Sequence, residues 1–308
     1  MAAQLATLQQ RDELALPDPG KGDTVGRWQA LATWGRADLP LARLAEGHVD
    51  AVAILNELGV KPDPGALYGV WAARPGGRGA ELVGSAGAWR LTGTVRFCSG
   101  ARTLQRALVV ATAEDGMRLV DVALDDPGVR PIEDTWKAQG MGGSGTLDVV
   151  FTDVAVPDAA LVGGPGDYLD RPGFWWGGAG VAAVWLGGAA GVLDDVLDGA
   201  AGADDHRLAH IGALHAELAA VDALLVRTAE AIDADPTHSH RTAVWTARAA
   251  AERVCRTTID LAPRAAGVSG LACSATLAAR LADLQVYSRQ HHGERDLAAL
   301  GAAVVEGR

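Results

Sequence analysis

The sequence predicts an α+β protein with N-terminal helices, a middle antiparallel β-domain and a C-terminal antiparallel four-helix bundle. Three observations predict it. Apolar residues recur at helical spacing toward both ends of the chain. Between them lie short apolar runs cut by Gly, Pro and Asp. Strands and helices do not alternate, which argues against a Rossmann layout. The 308 residues suffice for two or three modules. Composition shifts divide them into a short helical domain over 1–65, a β-domain over 66–165 and a helical bundle over 166–308.

In the first segment, Leu41, Leu44, Val52, Leu55 and Leu58 recur near helical spacing, and Gly59, Pro62 and Pro64 end the pattern. Strands are predicted over Trp89–Leu91, Val95–Cys98, Ala107–Thr112, Leu119–Leu124 and Val149–Val156. Val120, Val122 and Leu124 alternate with Asp121 and Ala123, the period of a half-buried strand. Pro75-Gly76-Gly77, Asp115-Gly116 and Asp126-Pro127-Gly128 punctuate them as turns. In the last segment, Leu208, Ile211, Leu214, Leu218, Val221 and Leu225 form one apolar helical face, capped by Asp204 or Asp205. Two more helices are expected over 239–262 and 272–300, with a break at Pro263 and Gly267 to Gly270. Phe174 to Leu193 runs without a charge and is long enough to span a bilayer. Its glycines and the absence of basic flanks favour a buried central helix, so no membrane span is expected.

The net charge of -11 disfavours general nucleic-acid binding. Three cysteines without a CxxC pair provide neither a disulfide framework nor a cysteine-rich zinc site, and a cytoplasmic setting fits. The N-terminus lacks a basic region followed by an apolar run, so no signal peptide is expected. GxxxxGK[ST], GxGxxG after a strand, and GxSxG are all missing, which leaves P-loop, dinucleotide and serine-hydrolase readings unsupported. His206 and His210 are four apart on a helix, but no HExxH occurs and no metal site is expected.

Three segments carry chemistry. Arg96 to Ala101 ends a strand at a turn with a hydroxyl, Ser99, beside Gly100. Met141 to Thr146 is a glycine loop with two hydroxyls, Ser144 and Thr146. His291 to Asp296 gathers two imidazoles, two carboxylates and a guanidinium near the end of the last helix. An imidazole with a carboxylate suits proton transfer near neutrality; the same residues also compose a charged, solvated helix face. Nine tryptophans, among them Trp136, suit a core, an interface or the walls of a flat pocket.

Taken in order, these segments resemble the acyl-CoA dehydrogenase family. Leu91 to Ala101 resembles its motif with an aromatic, a hydroxyl residue and two small residues, and Trp136 to Pro157 resembles the stretch that closes its β-domain. The resemblance implies a middle β-domain that binds FAD, with Tyr68, Phe97 and Ser99 at the cofactor and Trp136, Ser144 and Thr146 bordering the substrate pocket. Ala266 to Gly270 resembles the glycine loop that reaches a neighbouring subunit's cofactor, which implies cofactor roles for Gly267 and Gly270 and a homodimer or homotetramer, or a hetero-oligomer. The catalytic base of the dehydrogenases often lies in a Tyr-Glu-Gly-Thr motif. Here the matching segment, Tyr287 to Gly293, places His291 about where the glutamate belongs, with Glu294 as the substitute or orienting carboxylate. A histidine there is similar to the family's flavin monooxygenase branch.

The implied activity is thus FAD-dependent oxidation of the CH–CH bond of an acyl-CoA or similar thioester, with the electron acceptor open. The alternatives are a flavin monooxygenase and a non-catalytic partner subunit. Two departures stand out. The N-terminal helical domain is short, and the Arg-x-x-Phe-Gly turn that contacts FAD phosphates is replaced by Ala203-Asp204-Asp205-His206-Arg207.

Overall fold

A computed structural model describes residues 1–307. Helices α1 (Ala2–Gln10), α2 (Thr24–Ala37) and α3 (Leu39–Glu57) come first. Eight strands follow: β1 (Tyr68–Trp71), β2 (Ala80–Val83), β3 (Trp89–Cys98), β4 (Arg106–Ala113), β5 (Gly116–Ala123), β6 (Val129–Ile132), β7 (Leu147–Val156) and β8 (Leu161–Val162). The chain ends in α4 (Asp167–Asp170), α5 (Gly173–Asp198), α6 (Asp205–Ala234), α7 (Arg241–Cys273), α8 (Ala275–Tyr287) and α9 (Glu294–Glu306). The described residues form two compact units, one from 1–16, 43–137 and 142–174, the other from 17–42, 138–141 and 175 onward.

The first unit is built on one sheet, ordered β6-β7-β3-β2-β4-β5-β8, with β1 paired to β4. Most pairings are antiparallel, but β1 and β2 both run parallel to β4, so the sheet is mixed where the sequence predicted antiparallel. The connection explains this. From β2 the chain reverses into β3 and reverses again into β4, so β2 and β4 point the same way. β1 and β2 lie end to end along one β4 edge, Tyr68 to Trp71 beside Arg106 to Val109 and Ala80 to Glu81 beside Ala111 to Thr112.

β4 is buried on both faces, which is why it reads as an unbroken apolar run. Ala107, Val109 and Ala111 join a core with Leu91, Val95 and Phe151. Leu108 and Val110 join a second core, where Ala51, Ile54 and Leu55 of α3 cover the sheet. At the end of α3, the Glu57 carboxylate accepts from Arg171 Nη1 (2.7 Å) and from the Gly173 amide (3.0 Å).

The second unit is arranged around α5, the apolar stretch seen in the sequence. Its glycines meet the backbone of α2: a Cβ on Gly187 would run into the Ala32 carbonyl, and one on Gly35 into the Val184 carbonyl. By length and composition α5 and α6 could each cross a membrane; the apolar window of α5 is 72% buried and that of α6 is 17% buried. Two long helices, α6 and α7, are joined by six residues and pack as a hairpin. Leu214, Leu218, Val221 and Leu225 form its buried seam as expected, whereas Leu208 stays 51% exposed. Asp204 is the N-cap of α6, accepting from the Arg207 amide (2.9 Å).

Two helix boundaries differ from expectation. α7 continues through Pro263 to Cys273 and kinks at Gly267 (φ 69, ψ 176) instead of breaking into a loop. The last predicted helix is opened at 288–293, between a 3-10 turn and the positive φ of Gly293, so His291 lies in a break and not on a helix. Residues 138–141 are tied to α8: the Met141 amide donates to Asp283, and a Cβ on Gly140 would collide with the Ala282 carbonyl.

Gly187→Ala is expected to cost about 1–3 kcal/mol, because the neighbour it strikes is backbone and cannot yield. Gly212→Ala in α6 meets nothing within 4 Å and should stabilise by about 0.5–1 kcal/mol. Urea denaturation of the two variants checks both signs.

Candidate functional site

The β-unit's candidate residues are positioned by an irregularity in the β3–β7 ladder. Val95 pairs with Val149 and Cys98 with Leu147, so β3 carries one residue more than β7 there. Such a bulge kinks the strand and re-aims a side chain. Phe97 takes up the extra length at φ 61, a region that costs a non-glycine residue about 1–2 kcal/mol. Asp148 holds the distortion, accepting from the Phe97 amide (3.2 Å) and from Arg96 Nε (3.3 Å). The Phe97 ring is left 46% exposed, with the Arg96 guanidinium 4.7 Å from its centroid and Trp136 meeting it edge-on at 6.5 Å.

Beside this ring lies a buried chain of hydroxyls. Ser99 Oγ is 3.0 Å from Thr146 Oγ1, which is 2.7 Å from Ser144 Oγ. The Gly100 amide donates to the Ser144 carbonyl (2.9 Å), and Trp71 Nε1 donates to the Ser99 carbonyl (3.1 Å). Hydroxyls both donate and accept, so a linked trio can meet either polarity in a ligand.

Phe97, Ser99, Trp136, Ser144 and Thr146 are therefore brought together. Tyr68 sits elsewhere, in the α3-covered core. Its hydroxyl accepts from the Asp63 amide (3.0 Å) and lies 3.4 Å from Asp121, itself paired with Arg106 (2.9 Å). Burial, with the Asp121 carboxylate, raises the Tyr68 pKa. The Tyr68 amide donates to Nδ1 of His48 (3.1 Å), a buried imidazole whose pKa burial pushes down to about 4. A cleft of about 820 Å³ in the same unit, lined by Arg74, Arg78, Glu81 and Glu114 among others, includes none of the candidate cofactor, substrate-pocket or catalytic residues.

In the helical unit, His291 is 5% exposed and Glu294 is exposed in the first turn of α9. His291 Nδ1 accepts from the Gly293 amide (3.2 Å), and burial lowers its pKa while Asp296 opposes. The close imidazole–carboxylate pair is His292 with Asp296, at 3.4 Å, and not His291 with Glu294. Glu252, on α7, is a buried carboxylate that pairs with Arg256 and Arg289. Gly267 forms the kink of α7, with Val268 84% exposed after it. Arg207 Nε donates to the Ala265 carbonyl (2.6 Å) just before the kink, and its Nη2 to the Gly199 carbonyl (3.2 Å).

Sequence reasoning missed Asp148, Glu252 and Gly293, and it marked Trp71 in the first β-domain strand without its bond to Ser99. Asp148 and Trp71 look like ordinary strand residues until the bulge and the indole hydrogen bond are seen. For Gly293 a signal existed: a glycine inside an expected helix.

No protein-family model matches the sequence, and no curated protein does. The likeness lies in the three-dimensional structure. Dibenzothiophene monooxygenase (TdsC) from Paenibacillus sp. A11-2 superposes with a TM-score of 0.82 at 19% identity, covering 99% of this chain and 90% of that one. Methanesulfinate monooxygenase MsuC from Pseudomonas fluorescens gives 0.84 at 16% identity, with the same 99% and 90% coverage. Butyryl-CoA dehydrogenase from Megasphaera elsdenii gives 0.79 at 17% identity, covering 90% and 80%. The chain adopts the acyl-CoA dehydrogenase fold. Within that fold it is shorter than the solved chains it matches. TdsC has also been crystallised with FMN and indole.

A neutral buried His48 gives a testable pH dependence. Its folded pKa lies below its unfolded one, so the unfolded chain takes up the proton first. The stability this provides is complete above about pH 6.5 and is lost as pH falls toward 4, by up to about 3 kcal/mol. His48→Gln, which keeps an acceptor for the Tyr68 amide, should flatten this part of the stability–pH curve in guanidinium titrations.

Proposed function

We propose that the protein is a flavin-dependent oxidoreductase that uses oxygen as a monooxygenase, in preference to dehydrogenating an acyl thioester. One observation carries the preference. The segment Tyr287 to Gly293, where the dehydrogenase resemblance implies a carboxylate base, holds a buried imidazole, His291. The two monooxygenase structures, matched over 99% of this chain, support the same reading.

The β-unit suits the ring of a flavin. Phe97 offers an exposed aromatic face and Trp136 an edge beside it. Ser99 offers its hydroxyl to the ring's polar rim, and the buried Thr146 and Ser144 hydroxyls behind it fix its orientation. A bound flavin supplies the electron-transfer and oxygen chemistry that side chains lack. The chain's own groups orient the ring through Phe97 and Ser99, and His291 handles the proton.

The phosphate end favours a flavin mononucleotide over FAD. In the segment that stands in place of the family's phosphate turn, Asp204 is held below the usual carboxylate range by the Arg207 amide, so it carries negative charge. Arg207 is engaged with two backbone carbonyls. A second phosphate there meets repulsion without a free guanidinium.

A second reading, an FAD-dependent acyl-CoA dehydrogenase, is favoured by the likeness to butyryl-CoA dehydrogenase and by Glu294 as its carboxylate. We further propose a cytoplasmic homo-oligomer; the exposed Val268 and Leu271 beside the α7 kink support association at Gly267 and Gly270.

Three measurements test this. Oxygen consumption with supplied reduced FMN and a small heteroaromatic substrate is expected; anaerobic bleaching of bound FAD by an acyl-CoA would instead establish the dehydrogenase. A protein that binds neither flavin is a non-catalytic one. Phe97→Gly should weaken FMN binding at least about tenfold in fluorescence titration, while the melting temperature holds or rises because the left-handed strain of about 1–2 kcal/mol is relieved. His291→Ala should lower turnover by about a hundredfold or more with flavin still bound.

A further inference from the structure

We infer that Gly293 locks His291 in the tautomer that carries its proton on Nε2, which makes His291 a donor from Nε2 and Gly293 a positioning residue. Only the identity of what His291 donates to rests on the monooxygenase reading; the tautomer stands on geometry alone.

The local backbone builds the arrangement in three steps. α8 ends at Tyr287 and a single 3-10 turn carries the chain to Gln290. His291 then turns to extended backbone, its amide donating to the Ser288 carbonyl (3.1 Å). Gly293 follows at φ 58, ψ -124, a combination that L-residues avoid and glycine adopts. That conformation swings the Gly293 amide back onto the imidazole, 3.2 Å from Nδ1.

A backbone N–H can only donate. Nδ1 must therefore present its lone pair, and a neutral imidazole has one proton left, which resides on Nε2. Protonating Nδ1 would set two N–H groups against each other, so the contact also opposes the imidazolium.

The surroundings leave this contact unchallenged by a carboxylate at Nδ1. Asp296, the nearby acid on α9, turns to His292, accepting from its amide (3.1 Å) and lying 3.4 Å from its ring. Glu252 on α7 is taken by Arg256 and Arg289. Burial outweighs the acids: Asp296, and more weakly Glu252, favour the imidazolium, and Arg248, also on α7 with its guanidinium over the Trp185 ring at 4.9 Å, disfavours it. An imidazole held in this form cannot accept a proton at Nε2, where one already sits. It can donate a hydrogen bond, and then the proton, to an oxygen atom that develops negative charge. The chemistry that fits is stabilisation of an oxyanion or departing oxygen; removal of a carbon-bound proton does not fit.

The test reads the tautomer directly. Long-range proton–nitrogen NMR on the flavin-free protein at about pH 8, where a histidine is ordinarily neutral, should show the proton on Nε2 of His291. His291→Gln, whose amide places a donor near the Nε2 position, should retain turnover within about tenfold. His291→Asn and His291→Ala should each lose about a hundredfold or more. Gly293→Ala should release the tautomer into a mixture. A proton on Nδ1 in the unmodified protein overturns the inference whatever the activity, and equal loss in the Gln and Asn variants overturns the donor role. The Nε2 tautomer together with undiminished turnover of His291→Ala keeps the assignment for Gly293 and removes the monooxygenase role of His291.

Discussion

One extra residue in β3 governs the candidate chemistry of the β-unit. The β3–β7 ladder joins the two longest strands of the sheet, and its register slips between Val95 and Cys98. Without the slip Phe97 would continue the pleat and its side chain would be set by simple alternation. With it, a large apolar ring stands at the surface in a strained conformation, and Asp148 accepts the amide and guanidinium that the distortion leaves over. A bulge of this kind is retained in folds where it re-aims a functional group. The buried Ser99–Thr146–Ser144 chain then joins the strand to the loop before β7, so ring and hydroxyls form one rigid patch.

Much of the architecture was readable from spacing. The order of helices, strands and helices, the seam of α6 and the buried α5 follow from periodicity and from the glycine-rich apolar run. The parallel pairings of β1 and β2 with β4 were not readable, because direction in a sheet depends on connections between short segments with no strong pattern of their own. Ala80 to Val83 alternates over only four residues, too short a window for periodicity to register. Pro263 misled for a physical reason: it removes one helical hydrogen bond, and in α7 the packing on α6 holds the helix through it.

The candidate site was readable in patches. Phe97, Ser99, Ser144, Thr146 and Trp136 stand in two segments whose resemblance to the family's motifs marked them, and the β-unit brings them together. The bond that restrains His291 was invisible in sequence, because it depends on a backbone amide rather than a side chain. The His–carboxylate pairing was likewise ambiguous among neighbours, and the break before α9 decides it in favour of His292 and Asp296.

β1 and β2 occupy consecutive stretches of one β4 edge, and the chain between them makes an excursion over residues 72–79 before resuming the same neighbour. Its two ends are anchored independently of its length. Insertions or deletions there would leave every other strand pairing in place. The fold thus contains a site of evolutionary latitude, at the rim of a cleft already furnished with Arg74 and Arg78. Relatives could diversify what they admit to that cleft without renegotiating the sheet that supports it.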